Sequence, residues 1–208
     1  GLRKEAATEC KQVGKTIKDW PHVSHTILRW DGGAAATSRL QEEARRARYD
    51  LMAQYCAREN IPHLCVAHHA DDQAETVLFR LAKGSGLDGL GGMAPVTAYN
   101  DVLSLIRPFL DIPKQDLLTY CAAHDISVLH DPSNDNPDFA RIRLRQSRAV
   151  LEQEGLTSKR LSVTAKRLRR GRDALEHYAA ETLQEAIKEK NTNQIVLNYK
   201  VLFENPEE

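Results

Sequence analysis

The amino-acid sequence predicts an α/β protein with a doubly wound, mostly parallel sheet, followed by a helical subdomain and a long linker helix. Helical and strand-like patterns alternate through residues 4–83, as they do where helices connect parallel strands. The short run 63–67 (HLCVA) has no polar face, which is typical of a buried parallel strand. After residue 111 the patterns are mainly helical, so the sheet belongs to the first half of the chain.

The first half supplies the elements of this sheet. Residues 4–20 carry apolar side chains at helical spacing, with Val13 and Ile17 four apart, and Pro21 ends the pattern. Residues 25–30 (HTILRW) are rich in β-branched and aromatic side chains, which predicts a strand. The pattern further predicts a loop over 31–38, a helix over 39–60, a strand over 63–67, and a helix over 71–83 that ends at Gly84.

The remaining elements are a hairpin and several helices. Segments 94–99 and 102–106 flank Asn100-Asp101, which predicts an antiparallel hairpin. Pro113 suits the first turn of a helix over 113–124. Further predictions are a loop over 131–138, helices over 139–154 and 157–190 separated at Gly155, a turn over 191–193, and a strand pair over 194–203. The predicted domain organisation is 1–110, 111–155, 156–190 and 191–208.

The composition is ordinary for a globular protein and argues against several classes. Hydrophobic residues make up 41% and charged residues 28% of the chain. There is no run of about eighteen apolar residues, so no membrane association is expected. No signal peptide is expected either. The cysteines do not form C-x-x-C pairs, and we expect reduced core thiols in a cytoplasmic protein at Cys10, Cys56, Cys65 and Cys121.

The stretch 68–76 (HHADDQAET) carries most of the candidate chemistry. It lies where the strand 63–67 passes into the next helix, and ligands bind at this edge of an open α/β sheet. Asp71 and Asp72 lie four and three residues before Glu75, so one helical face carries these carboxylates. Two carboxylates beside two imidazoles can hold a divalent cation or position a proton transfer.

The same residues also fit a helix cap. Asp72 at the N-cap and Glu75 at the third helical position would form a capping box, which satisfies free backbone N–H groups. A capping box requires neither His68 nor His69. The structural and the catalytic interpretations can therefore hold together.

A glycine-rich segment, residues 84–92 (GSGLDGLGG), follows this helix. Gly84, Gly86 and Gly89 match G-x-G-x-x-G by letter, but the dinucleotide fingerprint must follow a strand and open a helix. Glycines at the end of a helix form C-caps, and they also allow the backbone to approach a ligand closely. Both interpretations stay open.

Basic residues are concentrated in one part of the chain. Residues 141–172 contain eleven Lys or Arg and two acidic residues, although the whole chain is formally neutral. Such a block is a candidate phosphate-binding surface, or else the solvated face of a polar spacer helix. Upstream, Arg45, Arg48 and Tyr49 occupy neighbouring helical positions, which suits either a solvated basic patch or a site.

Several of these motifs together resemble one family, the tRNA(Ile)-lysidine synthetases of the PP-loop, or N-type ATP pyrophosphatase, superfamily. Residues 67–93 (AHHADDQAETVLFRLAKGSGLDGLGGM) resemble the second signature of this family. Residues 42–49 (EEARRARY) resemble its Ala-Arg-x-x-Arg-Tyr helix, and residues 107–145 resemble its downstream block. Gly1-Leu2-Arg3 resembles the tail of its His-Gly-Leu-Arg. The resemblance runs through about residue 180, but Arg141-Ile142 stands where the family often has Arg-Asn.

The resemblance implies an adenine nucleotide alpha hydrolase-like fold and an ATP-dependent ligase activity. The family adenylates C2 of the wobble cytidine in the CAU anticodon of tRNA(Ile) and releases pyrophosphate. The ε-amine of free lysine then displaces AMP and leaves lysidine. ATP and Mg²⁺ are the implied cofactors, tRNA(Ile) and lysine are the implied partners, and a homodimer is an open expectation.

The resemblance also implies roles for individual residues. Those expected to be catalytic are Asp72, Glu75 and Arg48, and Mg²⁺ is expected near the two carboxylates. Those expected to contact the nucleotide are His68, His69, Asp71, Gly84, Ser85 and Gly86. Those expected to contact RNA are Arg141, Arg143, Arg145, Arg148, Lys166, Arg167, Arg169 and Arg170.

The family's ATP loop, Ser-Gly-Gly-x-Asp-Ser, would precede residue 1. Residues 1–110 are therefore expected to be an incomplete PP-loop ATP-pyrophosphatase domain, and this fragment alone is expected to be inactive. One alternative is another PP-loop tRNA-modifying enzyme such as a cytidine thiolase, although C-x-x-C pairs that would suit its sulfur chemistry are absent. The other is a non-catalytic RNA-binding remnant, which the upstream coding sequence would distinguish.

Overall fold

The structure is a computed structural model, and it describes residues 6–30, 40–129, 140–191 and 194–203. The predicted loops at 31–38 and 131–138 lie outside these residues. The chain divides into two compact units, one within Gly1–Asp72 and Ala94–Arg143 and the other within Gln73–Met93 and Leu144–Glu208. The domain boundaries at residues 110, 155 and 190 stay predictions.

The elements of the described residues alternate between helix and strand up to β3 and are mainly helical after it. In chain order they are α1 (Ala6–Thr16), α2 (Leu40–Arg58), β1 (His63–Cys65), α3 (Ala70–Ala82), α4 (Leu87–Leu90), β2 (Val96–Ala98), β3 (Ser104–Ile106), α5 (Lys114–Ala123), α6 (Ala140–Gln146), α7 (Arg148–Gln153), α8 (Ser158–Ala186), β4 (Ile187–Lys190), β5 (Ile195–Leu197) and α9 (Tyr199–Phe203). The boundaries between the two units fall inside α3 and α6.

The first unit contains a small mixed sheet with the strand order β1-β3-β2. β1 pairs with β3 in parallel, with Leu64 opposite Leu105, and β2 pairs with β3 antiparallel. The predicted hairpin and the predicted parallel strand are therefore confirmed. The structure does not confirm a doubly wound, mostly parallel sheet, because this sheet has three strands and one of its two pairings is antiparallel.

Two details of the predicted sheet are wrong. Residues 25–30 form no strand, because a strand requires a neighbour for its backbone hydrogen bonds and none pairs with them in the described residues. β1 is also less buried than its apolar run suggested. It lies at the edge of the described sheet, and His63 and Cys65 are exposed.

The second unit is built on the packing of α3 against α8. Ala74 and Val77 of α3 form a buried cluster with Leu161 and Ala165 of α8. The apolar contact of these side chains stabilises the pair. The long helix is thus confirmed up to Ala186, whereas residues 187–190 form β4 and not the predicted end of the helix. Its first half packs in the core of this unit, and its role as a linker stays a prediction.

The remaining differences concern the second half of the chain and the thiols. The predicted helix over 139–154 is interrupted at Ser147, and the predicted strand pair over 194–203 is instead β5 followed by α9, with β5 paired to β4. All the cysteines are free as expected, but only Cys56 is a buried core thiol and Cys65 is exposed. Among the described residues no helix is long and apolar enough to cross a membrane.

The glycine-rich segment is anchored to α3 by one buried amide. Gln73, which is 2% exposed, donates through Nε2 to the Met93 carbonyl (2.9 Å) and accepts through Oε1 from the Met93 N–H (2.7 Å). Gly92 has a φ of +66°, and a Cβ at this position would lie 2.8 Å from Oε1 of Gln73. The glycine is therefore required both by its backbone conformation and by the close approach of this amide.

We predict that Gln73→Leu lowers the free energy of unfolding by about 2–3 kcal/mol, because both the Met93 N–H and part of its carbonyl lose their buried partner. The matched control is Gln54→Leu at an exposed position of α2, which should change stability by less than about 0.5 kcal/mol. Urea unfolding followed by circular dichroism measures both. Equal stability of the two variants would show that the amide does not anchor the segment.

Candidate functional site

The N-terminus of α3 is capped by a reciprocal pair of hydrogen bonds. The backbone N–H of His69 donates to Oδ2 of Asp72 (3.0 Å), and the backbone N–H of Asp72 donates to Nδ1 of His69 (3.3 Å). This is a capping box with His69 at the N-cap and Asp72 at the third helical position. The predicted box of Asp72 and Glu75 is therefore wrong by one turn, because α3 begins at Ala70.

This cap determines the proton position on His69. Nδ1 lies 3.3 Å from Oδ2 of Asp72, which would be an ion pair only if Nδ1 carried a proton. A nitrogen that accepts the Asp72 N–H cannot also donate, so the ring proton lies on Nε2. His69 therefore combines a capping role at Nδ1 with a donor at Nε2.

Asp71 connects α3 to the start of α5. Its side chain is buried, and Oδ2 accepts the backbone N–H of Lys114 (3.3 Å), the first residue of α5. A carboxylate at a helix N-terminus is favoured by the helix dipole. The neighbouring backbone supports this contact, since the Ala70 N–H donates to the Ile112 carbonyl (3.0 Å). Asp71 thus has a structural contact in addition to the nucleotide contact predicted for it. His68, which precedes it in the sequence, is half-buried.

Glu75 forms a bidentate ion pair with Arg145 in the second unit. Arg145 donates through Nε to Oε1 (2.7 Å) and through Nη2 to Oε2 (3.0 Å), which is a bidentate arrangement. The Glu75 side chain is 14% exposed and the Arg145 side chain 38%. The sequence predicts RNA contact for Arg145 and does not reveal this pairing, because the two residues are seventy positions apart and no local pattern connects them.

The glycine-rich segment is held by a second side chain of α3. Arg80 donates through Nη1 to the carbonyls of Gly89 (2.8 Å) and Gly92 (3.1 Å). Gly84 ends α3 with a φ of +73°, which explains this glycine as a C-cap. A Cβ at Gly86 would meet nothing within 4 Å and its φ is −76°, so the described part of the chain does not require a glycine there. The nucleotide contact predicted for Gly86 and for the half-buried Ser85 beside it stays a prediction.

Arg48 lies on α2 in the first unit. Its side chain is exposed, and its guanidinium is 5.8 Å from the centre of the buried Tyr49 ring. Arg48 also lines a cleft of about 700 Å³ together with Arg29 and Trp30. A fixed cation at the wall of a cleft can offset the charge of a phosphate.

The predicted RNA-binding residues fall into two groups. Lys166, Arg167 and Arg170 are exposed on α8, and Arg143 is exposed on α6. Arg169 is buried, and it donates through Nη1 to the Met93 carbonyl (2.6 Å), so it packs inside the second unit. A run of cations on a helix predicts a solvated face, which is why its inward position was missed.

Three other arginines belong to this set, and one of them, Arg145, pairs with Glu75. Arg148 pairs with Glu152 along α7 (2.7 Å). The side chain of Arg141 lies outside the described residues. The RNA-binding assignments of this whole set stay predictions.

The carboxylates do not form a protein-only magnesium site. In the described part of the chain no three His, Cys, Asp or Glu side chains are grouped so as to hold a metal ion. Both oxygens of Glu75 accept hydrogen bonds from Arg145, and Oδ2 of Asp72 accepts from the His69 N–H. The Mg²⁺ expected near Asp72 and Glu75 stays a prediction, because Mg²⁺ also takes ligands from phosphates and water.

Comparison with known proteins gives one consistent group. Residues 1–152 match the family described as the PP-loop domain. The chain is 47% identical over 175 residues to a tRNA(Ile)-lysidine synthase of Methylobacterium nodulans, covering 84% of this chain and 51% of that protein. It is 38% identical over 178 residues to a tRNA(Ile)-lysidine synthase of Ruegeria pomeroyi, covering 86% of this chain and 42% of that protein. The chain thus spans about half the length of the curated relatives it matches.

A solved structure supports the fold. The U34-tRNA thiolase NcsA from Methanococcus maripaludis, solved with its [4Fe-4S] cluster, superposes with a TM-score of 0.56 at 18% identity. The match covers 78% of this chain and 54% of that one. At this identity the likeness shows a PP-loop, adenine nucleotide alpha hydrolase-like fold and no more.

We predict that Asp72→Ala lowers the free energy of unfolding by about 1 kcal/mol, because the His69 N–H loses its acceptor. Asp116→Ala is the matched control. Asp116 occupies the same third position of α5, but the N-cap there is Pro113, which has no N–H to donate. Chemical denaturation of both variants tests the cap, and an equal loss would show that Asp72 acts only through the helix dipole.

Proposed function

We propose, from the premise that the chain belongs to the PP-loop domain family, that it is part of a tRNA(Ile)-lysidine synthetase. The observation that carries the proposal is the 47% identity over 175 residues to a relative with that name. In this reaction ATP adenylates C2 of the wobble cytidine in the CAU anticodon and pyrophosphate leaves. The ε-amine of free lysine then forms a bond to C2, and AMP leaves.

Three side chains would perform the chemistry. Arg48 would offset negative charge that develops on the transferred phosphate. Asp72 and Glu75 would orient the lysine ammonium and accept the proton that it loses before attack. The bidentate pair with Arg145 holds the Glu75 carboxylate in one orientation, which supports its part in orienting the ammonium.

The nucleotide would bind at the carboxyl end of β1. His68 and His69 follow this strand, and Nε2 of His69 is the donor that the cap leaves for a ligand. Asp71 and the segment Gly84, Ser85 and Gly86 complete the proposed set. Mg²⁺ commonly binds through nucleotide phosphates, and the roles of these side chains do not depend on it.

The domain organisation, location and oligomeric state of the complete protein belong to the same proposal. We expect β1 and β3 to be strands of a mostly parallel sheet, with residues 1–110 in the PP-loop domain. The helices over 111–155 would close this domain and carry the basic helix, α8 would connect to a C-terminal region, and the protein would act in the cytoplasm. A homodimer is compatible with this arrangement.

We predict that the complete protein incorporates labelled lysine into CAU-anticodon tRNA(Ile) in an ATP-dependent reaction. The matched control is the same tRNA with a CAC anticodon, which should remain unlabelled because the wobble base lies in a different anticodon context. A protein that is folded and binds ATP but labels neither tRNA would refute the proposed activity.

We also predict that the exposed cations of α8 bind RNA phosphates. Replacing Lys166, Arg167 and Arg170 together by Gln should weaken binding of any tRNA and reduce the slope of log affinity against log salt by about two to three. The control replaces Lys11, Lys15 and Lys18 of the first unit by Gln. These lysines are also exposed, and their replacement removes the same charge. If both triple variants keep the wild-type slope, α8 does not contact the RNA.

A further inference from the structure

Two arginines of α2 lie against one buried tyrosine of the first unit. The guanidiniums of Arg45 and Arg48 lie 5.2 Å and 5.8 Å from the centre of the Tyr49 ring. Tyr49 is 9% exposed, whereas both arginines are exposed. Cation–π contact with the ring holds the two guanidiniums on one side of α2.

The tyrosine itself is held by a second aromatic ring. Tyr99 stacks on Tyr49 with 6.2 Å between ring centres, and its hydroxyl donates to Oδ1 of Asp50 (2.7 Å). This hydrogen bond raises the pKa of Tyr99. The other oxygen of Asp50 lies 3.8 Å from Nε of Arg46. Asp50 is thus engaged by both Tyr99 and Arg46.

Arg107 adds a third cation at the carboxyl end of β3. Its Nη1 donates to the Ala94 carbonyl and to Oγ1 of Thr97, both at 2.9 Å, and this fixes the guanidinium against the β2–β3 hairpin. Its Nε is buried without a hydrogen-bond partner in the described residues. Burial lowers the pKa of Arg107, and the positive charge of Arg45 lowers it further, while Tyr49 acts in the opposite direction.

Arg45 and Arg48 are thus like charges held against one ring, and Arg107 is held by Thr97, two residues before the Tyr99 that stacks on this ring. Within the described residues none of Arg45, Arg48 and Arg107 forms an ion pair with a carboxylate. Nearby cations repel one another and are stabilised when an anion binds between them. The position also suits a ligand, because β1 and β3 are parallel and ligands of α/β sheets bind beyond the carboxyl ends of the strands.

We propose that Arg45, Arg48 and Arg107 form a phosphate-binding subsite around Tyr49. The proposal rests on the proposed function and adds Arg45 and Arg107 to the catalytic Arg48. The planar guanidinium forks match the geometry of a phosphate group. The phosphate belongs either to ATP or to the RNA backbone, and the two sources have different signatures.

The test compares neighbouring arginines of the same helix. Arg45→Gln removes a cation of the subsite, and Arg46→Gln removes the adjacent cation, whose side chain is 86% exposed and which lies by Asp50. Arg107→Lys keeps the charge but loses the fork, and Thr97→Val removes one acceptor of Arg107 while keeping its guanidinium. ATP and pyrophosphate binding are measured by calorimetry and tRNA binding by filter retention, on the complete protein.

We expect Arg45→Gln and Arg107→Lys to weaken one of these ligands by about tenfold or more, the scale of one hydrogen bond to a charged group. Loss of ATP and pyrophosphate affinity identifies the nucleotide, whereas a loss of tRNA affinity with a salt slope reduced by about one identifies RNA phosphate. Thr97→Val, which loosens the Arg107 guanidinium, should weaken the same ligand less than Arg107→Lys does. Binding of every ligand by Arg45→Gln and Arg107→Lys at the level of Arg46→Gln overturns the subsite. These variants could weaken pyrophosphate binding while the wild-type protein forms no lysidine. That result would support the subsite and refute only the proposed function.

Discussion

The bidentate ion pair between Glu75 and Arg145 is the contact on which the candidate catalytic arrangement of the second unit depends. Glu75 is largely shielded from solvent, and a shielded carboxylate is costly unless its oxygens are hydrogen-bonded. Arg145 supplies one N–H to each oxygen. The pair therefore keeps a charged group inside the protein and restricts it to one orientation, which is what a group that must meet a substrate amine requires.

The polar residues at the start of α3 each connect to a different part of the chain. Asp71 contacts the first residue of α5, and Asp72 caps α3 itself. Gln73 anchors the end of the glycine-rich segment, and Glu75 pairs with α6. In the first unit this stretch thus caps its own helix and holds α5, and in the second unit it holds the glycine-rich segment and α6. A residue in it can be structurally necessary and still act on a substrate, so loss of activity alone does not assign a role.

The chemistry of this stretch was predictable from its residue types, whereas its partners were not. The helical period predicted α2, α3 and α8, and the turn residues between β2 and β3 predicted the hairpin. The cap was misplaced because D-x-x-E and H-x-x-D both suit a capping box, and the start of a helix is not defined by its period. The roles of Arg145 and Arg169 depend on contacts seventy or more residues away, which local pattern does not contain.

A double-mutant cycle of Glu75 and Arg145 tests this account most directly. Lysine incorporation into CAU-anticodon tRNA(Ile) is measured for the complete protein with Glu75→Gln, Arg145→Gln and both changes, alongside unfolding and tRNA affinity. The account predicts that each single variant loses at least about tenfold in turnover while it remains folded and bound to tRNA, and that the double variant is little worse than Glu75→Gln. The coupling should then exceed about 1 kcal/mol. Independent, multiplicative losses would contradict it, because they would mean that Arg145 does not act through the Glu75 carboxylate.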